Sequence, residues 1–269
     1  MSGAEQLAAW GPLAAPALLA LAGFAAGVLN AMAGGGSFLT FPALVFTGVP
    51  PIAANATSAL AVSPGYLGSV WGFRPELAAL DRRLLRREAL VSAAGGLCGA
   101  GLLLVTPAKV FSGLVPWLLL FATVLFALGP ALVRRMARPS VEGQPASSGQ
   151  DRLARWRTPG LLLVSIYGGY FNGGLGILLM ALYTLVGEAR IHTANALKNF
   201  NSFVLSILSV VAFALAGAIV WPQALLMMVC ATAGGFVGAR LARRMPASWV
   251  RALVIATGLL MSVAFFWRG

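Results

Sequence analysis

Lys198 is the residue in this sequence best placed to do chemistry. It stands in "ANALKNFNS" (194–202), about 12 Å beyond Arg190 by helical rise and well inside an apolar run. Asn195, Lys198, Asn199 and Ser202 follow one another at spacings of three, one and three, which puts them on one face of a helix. An ionisable side chain inside a membrane segment is a functional candidate by default. A cation among amides and a hydroxyl is the donor set that a small anion needs. The competing reading is that the Lys198 stem snorkels to the membrane surface. A related polar group, Asn55, Thr57 and Ser58, lies in "ANATS" (54–58).

Two glycine runs carry the second set of candidates. They are Gly34, Gly35 and Gly36 before Ser37 in "NAMAGGGSFLTFP" (30–42), and Gly173 and Gly174 after Asn172 in "NGGLG" (172–176). Glycine and proline cost a helix about 1 and 3 kcal/mol relative to alanine, so a continuous helix is not what these residues build. Broken backbone is tolerated at membrane depth only inside protein or beside water. A half-helix that restarts after such a break offers unpaired N–H groups and the positive end of its dipole, a ready anion site. Asn30, Asn172, Asn55 and Asn195 would add amide donors. The first half-helix starts at Ser37, with Pro42 deep inside it, or at Thr40, with Pro42 near the first position where proline is well tolerated.

The elements that position these residues are membrane helices. The chain has 269 residues, of which 59% are hydrophobic and only 10% charged, with a mean hydropathy of +0.86; soluble domains carry about 25% charged residues. Apolar segments fall at 14–48, 51–73, 88–105, 108–133, 159–187, 191–219, 221–240 and 247–267. The net charge of +12 gathers between them, at 74–88, 134–157 and 240–251, as in the cytoplasmic loops of a membrane protein rather than on a nucleic-acid-binding face.

The two halves echo each other. "AGGLCGAGL" (94–102) matches "AGGFVGARL" (233–241), "GVLN" (27–30) matches "GYFN" (169–172), and "IAANA" (52–56) matches "IHTANA" (191–196). The corresponding loops carry opposite charge bias, the signature of inverted repeats. All three basic loops reach one side only if the first and fifth segments each turn back on themselves. The expected fold is therefore an all-α polytopic membrane protein of two inverted four-segment repeats, each starting with a glycine-broken, hairpin-like helix. The first repeat spans 1–133, a cytoplasmic linker 134–158 and the second repeat 159–269. Both termini are expected outside and the basic loops in the cytoplasm.

Other residues read more plainly. The "AGGLCGAGL" glycines and their partners suit close helix packing. Pro64 and Gly65 read as a kink, a matter of shape. His192, the lone histidine, reads as a loop or capping residue at the membrane edge, and the tryptophans near segment ends as interfacial anchors. Cys98 and Cys230 have no metal-ligand spacing. All seven acidic residues lie in termini, loops or at segment ends on this reading, so no intramembrane carboxylate is expected to carry protons or cations. No nucleophile–base pair or phosphate-binding motif is present, so neither an enzyme nor a cofactor is expected.

The stretch "GVLNAMAGGGSFLTFPALVFTGVPPIAANATSALAV" (27–62), with its echo "NGGLGILLMALYTLVGEARIHTANALKNF" (172–200), resembles the TauE/SafE family of sulfite exporter-like membrane proteins. That resemblance implies export of sulfite or small organosulfonates across a bacterial inner membrane. Expected partners are a small anionic substrate and membrane lipid, with a homodimer left open and no nucleic acid. Proton-coupled import of a sulfur or carboxylate anion, and a membrane scaffold that transports nothing, are the alternatives.

Overall fold

A computed structural model describes residues 11–32, 35–136, 155–188, 190–241 and 247–268. Gly34 and most of the 134–158 linker lie outside these residues, as does part of the 240–251 loop. The described residues form helices and no strand, in the order α1 (Ala14–Met32), α2 (Ser37–Phe46), α3 (Pro51–Gly72), α4 (Arg74–Ala78), α5 (Arg82–Val105), α6 (Ala108–Met136), α7 (Arg157–Tyr170), α8 (Leu175–Leu185), α9 (Ile191–Leu215), α10 (Trp221–Leu241) and α11 (Ala247–Arg268). Three of them, Arg82–Val105, Ala108–Gly129 and Ile191–Leu215, are long and apolar enough to cross a membrane within the described residues. With the other apolar helices they make a multi-pass membrane protein.

The first and fifth segments break where the glycines stand. Helices α2 and α8 have 10 and 11 residues, about 15–17 Å by helical rise, half of a ~30 Å hydrocarbon core. Gly35 and Gly174 take the left-handed conformation, with φ of 118° and 75°, which only glycine adopts cheaply. The chain then doubles back. A Cβ on Gly160 would meet Leu182 and one on Gly168 would meet Leu175, so α7 and α8 run antiparallel in register. Gly36 likewise returns against the Ala26 carbonyl of α1.

The first half-helix begins at Ser37, with Gly36 as its N-cap and Pro42 inside. The alternative start at Thr40 is therefore excluded. Thr40 instead turns its hydroxyl to Ser58, 2.6 Å away on α3, and that buried contact fixes α2 against α3 at the turn where Pro42 withholds a ladder bond.

The halves pack reciprocally. Helix α1 lies along α10 as α7 lies along α5, α10 contacts α3 as α5 contacts α9, and α2 meets α11 as α8 meets α6. Glycines set the closest of these approaches. A side chain on Gly99 would strike the backbone of Ile166 and Tyr170, and one on Gly234 would strike the Phe24 carbonyl. The "AGG" motifs are thus packing surfaces, as expected.

Candidate functional site

The two breaks meet. Ser37 Oγ lies 3.4 Å from the Asn172 carbonyl oxygen, a long contact that links one hairpin tip to the other. Tyr66 of α3 donates to Asn172 Oδ1 at 3.2 Å, and Tyr167 donates to the Gly173 carbonyl at 2.6 Å. Asn55 Nδ2 donates to the Tyr170 carbonyl at 3.1 Å, where α7 ends and its last oxygens need partners. Phe41 and Phe171 pack edge to face at 5.7 Å. The second break, Phe171 to Gly174, is buried in protein, which is what irregular backbone at membrane depth requires.

Neither half-helix has a side-chain cap. In α8 the first backbone bonds back to Gly174 come from Ile177 and Leu178, so the N–H groups of Leu175 and Gly176 open its N-terminus. The Lys198 stem passes over this turn, with Cδ 3.8 Å from where a Cβ on Gly176 would be. Among the described residues the ion pairs are Glu88–Arg157 and Glu188–Arg190; neither involves Lys198. Asn199 is buried beside it, and the buried Ser202 hydroxyl lacks a hydrogen-bond partner among the described residues.

Asn30 belongs to a different part of the site. Its Oδ1 accepts from the Gly35 N–H at 3.3 Å, which leaves its NH2 to face Gly65, where a Cβ would sit 2.7 Å from Nδ2. A cavity of about 360 Å³ opens there between α1, α3 and α10, lined by Asn30, Pro64, Gly65, Ser69 and Thr232 among others. The hydroxyls of Ser69 and Thr232 are spent on the Gly65 and Met228 carbonyls of their own helices. The Asn30 amide is therefore the side-chain donor this cavity offers among the described residues. Pro64 and Gly65 do more than shape α3: they make the space into which that amide points.

Other expected ligands have structural work. Thr57 Oγ1 accepts from the Val220 N–H at 3.0 Å, and Ser58 is held by Thr40. Asn195 shares a helix face with Lys198 but turns its amide to the Ile191 carbonyl, 3.0 Å away on the same helix. His192 is exposed on the first turn of α9 and makes no cap. Tyr66 and Tyr167, which hold the second tip, carry no signal in the sequence beyond their nearness to glycine.

The sequence matches the family described as Sulfite exporter TauE/SafE over residues 19–265. The chain belongs to this family. It is 27% identical over 251 residues to the probable membrane transporter protein ORF9 of Sinorhizobium sp, covering 92% of this chain and 90% of that one. A probable membrane transporter protein of Haemophilus influenzae is 28% identical over 252 residues, with 91% and 92% covered. The probable membrane transporter protein YfcA of Escherichia coli K12 is 26% identical over 249 residues, with 88% and 84% covered. No solved structure matches the chain. This TauE/SafE chain is a membrane transporter.

One expectation about its charges is overturned. Glu88 is not at a segment edge: it is the seventh residue of α5 and is 3% exposed. The charged stretch before it is helical, started by Asp81, whose carboxylate accepts from the Arg83 N–H at 2.9 Å. Glu88 pairs with Arg157 Nε at 2.7 Å and accepts from Tyr183 and Asn201 at 2.8 Å each, while Asn201 Oδ1 accepts from Ser92 at 2.7 Å. Lys198 is therefore not the one charge inside the helical body. The Glu88 network ties α5, α7, α8 and α9 together with every carboxylate oxygen engaged. Glu88→Ala in this TauE/SafE chain would strand the Arg157 charge and the Tyr183 hydroxyl donor, at a cost of about 3–5 kcal/mol. The expected result is a steep fall in the thermal midpoint of the purified protein, largely restored in Glu88→Leu/Arg157→Met; an unchanged midpoint in Glu88→Ala would refute the role.

Proposed function

We propose that this TauE/SafE transporter exports small oxyanions, sulfite or short organosulfonates, holding the anion between half-helix N-termini and Lys198. The observation that carries the reading is the placement of Lys198 over the first turn of α8. A cation beside the positive end of a helix dipole is unfavourable by some 0.3–1 kcal/mol, and no described carboxylate neutralises it. An anion resolves the conflict, accepting from the Lys198 ammonium and from the N–H groups of Leu175 and Gly176. Asn199 stands nearby, as does the unpartnered Ser202 hydroxyl. Gly35, Gly36, Ser37, Asn172, Gly173 and Gly174 form the paired tips, and Asn30 supplies an amide at the open cavity. Asn55, Thr57, Ser58 and Asn195 then serve as supports rather than ligands.

The reciprocal packing of the halves supports a duplicated, inverted unit, 1–133 and 159–269, around this site. With basic segments in the cytoplasm of a bacterial inner membrane and both termini outside, α3 and α10 run toward the cytoplasm. The Asn30 cavity lies on their later turns, about 10 Å from the end of α3, and so faces inward. A membrane potential negative inside expels a monoanion with about 2.3 kcal/mol per charge per 100 mV, so export needs no coupling ion. The test is efflux of sulfite and of a short sulfonate from proteoliposomes at imposed inside-negative potential and equal pH. Efflux of either that grows with potential is expected. Flux driven by a pH gradient at zero potential would replace this reading with proton coupling.

A further inference from the structure

We propose that the chain carries a second oxyanion site, outside the transport site, at the N-terminus of α7. A cavity of about 150 Å³ lies there between α5 and α7, and its lining includes Arg87, Arg155, Arg157, Thr158 and Leu84. Three arginines line it against one carboxylate, Glu88. That carboxylate is already engaged by Arg157, Tyr183 and Asn201, so it neutralises neither Arg87 nor Arg155. Both of these are exposed and form no ion pair among the described residues.

Arg157 is the built part of the site. Its Nε is fixed on Glu88 and its guanidinium lies over the Tyr183 ring at 5.3 Å. Its Nη2 is buried without a hydrogen-bond partner among the described residues. A buried charged donor left unsatisfied is costly and calls for an acceptor. Helix α7 adds to the positive potential, because it starts at Arg157 with no side-chain cap. Arginines lining one small space suit a tetrahedral oxyanion, whose several oxygens can accept in parallel. The ligand class is a phosphate-type oxyanion, with room for one such group. It lies about 20 Å along α7 from the hairpin tip, by helical rise. The same chemistry is offered by free phosphate and by the phosphate of an anionic lipid headgroup.

The test uses the full chain in nanodiscs of phosphatidylcholine, titrated calorimetrically with potassium phosphate at constant ionic strength against potassium chloride. Saturable phosphate binding that chloride does not reproduce is expected, weakened at least tenfold in Arg87→Gln/Arg155→Gln. Leu84→Glu, which places a carboxylate in the cavity, is expected to do the same without removing an arginine. In nanodiscs containing phosphatidylglycerol, a lipid occupant would suppress the phosphate titration and remain bound in native mass spectra of the wild type but not of the variants. Undiminished phosphate binding there would instead identify the free anion as occupant. The site is overturned if the variants bind as the wild type does. It is also overturned if neither phosphate binding nor retained phosphatidylglycerol is seen.

Discussion

Lys198→Ala is expected to lower oxyanion efflux by ten- to a hundredfold while leaving the empty protein as stable as before, or more so. A hydrogen bond to a charged group is worth about 1.5–3 kcal/mol, and each 1.4 kcal/mol is roughly a tenfold change. The stability half of the expectation discriminates between roles. A lysine that held the fold together would cost stability when removed. Lys198 pairs with no carboxylate among the described residues and stands by the N-terminal turn of α8, so its removal relieves repulsion in the empty state. Added sulfite should raise the thermal midpoint of the wild type and not that of the variant. Lys198→Arg keeps the charge on a longer, planar head and should retain part of the flux. A Lys198→Ala protein that transports normally would take the anion site away from this helix face.

The helical frame was legible because hydropathy and charge act locally. The segments read at 51–73, 108–133 and 191–219 are the helices Pro51–Gly72, Ala108–Met136 and Ile191–Leu215, and the broken segments follow from glycine, length and the parity of the basic loops. The start of α5 was hidden because "RRLLRRE" is charged: a helix that projects beyond its apolar run leaves no hydropathy trace there, so Glu88 read as an edge residue. Side-chain roles were legible only where the partner is near in sequence. Whether Asn55 binds substrate or the Tyr170 carbonyl, and whether Thr57 meets ligand or the Val220 N–H, depends on which helices cross, and those partners are 115 and 163 positions away. Spacing on one helix face placed Asn195 beside Lys198 but could not foresee that an amide would satisfy itself on its own helix.

Gly65→Leu is expected to abolish transport without unfolding the protein. At Gly65 a Cβ alone would come within 2.7 Å of Asn30 Nδ2, and the rest of a leucine would occupy the cavity that the Asn30 amide faces. Gly65 has an ordinary helical backbone, with no positive φ, and leucine is the better helix former by several tenths of a kcal/mol. The fold therefore has little reason to object beyond the displaced amide. Gly68 lines the same cavity with nothing within 4 Å of its Cβ position, so Gly68→Ala should leave flux near normal and serves as the control. The second half already contains the closed arrangement. Matching "ANA" at 54–56 to "ANA" at 194–196 puts Leu205 where Gly65 stands, and Leu205 is fully buried against Gly96 and Gly168. One half thus presents an open space and the other a filled one, an asymmetry that, on the proposed inverted-repeat reading, suits a transporter exposing its site to one side at a time. Efflux assays on Gly65→Leu with a wild-type thermal midpoint decide the matter. Lost flux assigns the Asn30 cavity to the transport path, and preserved flux leaves it outside.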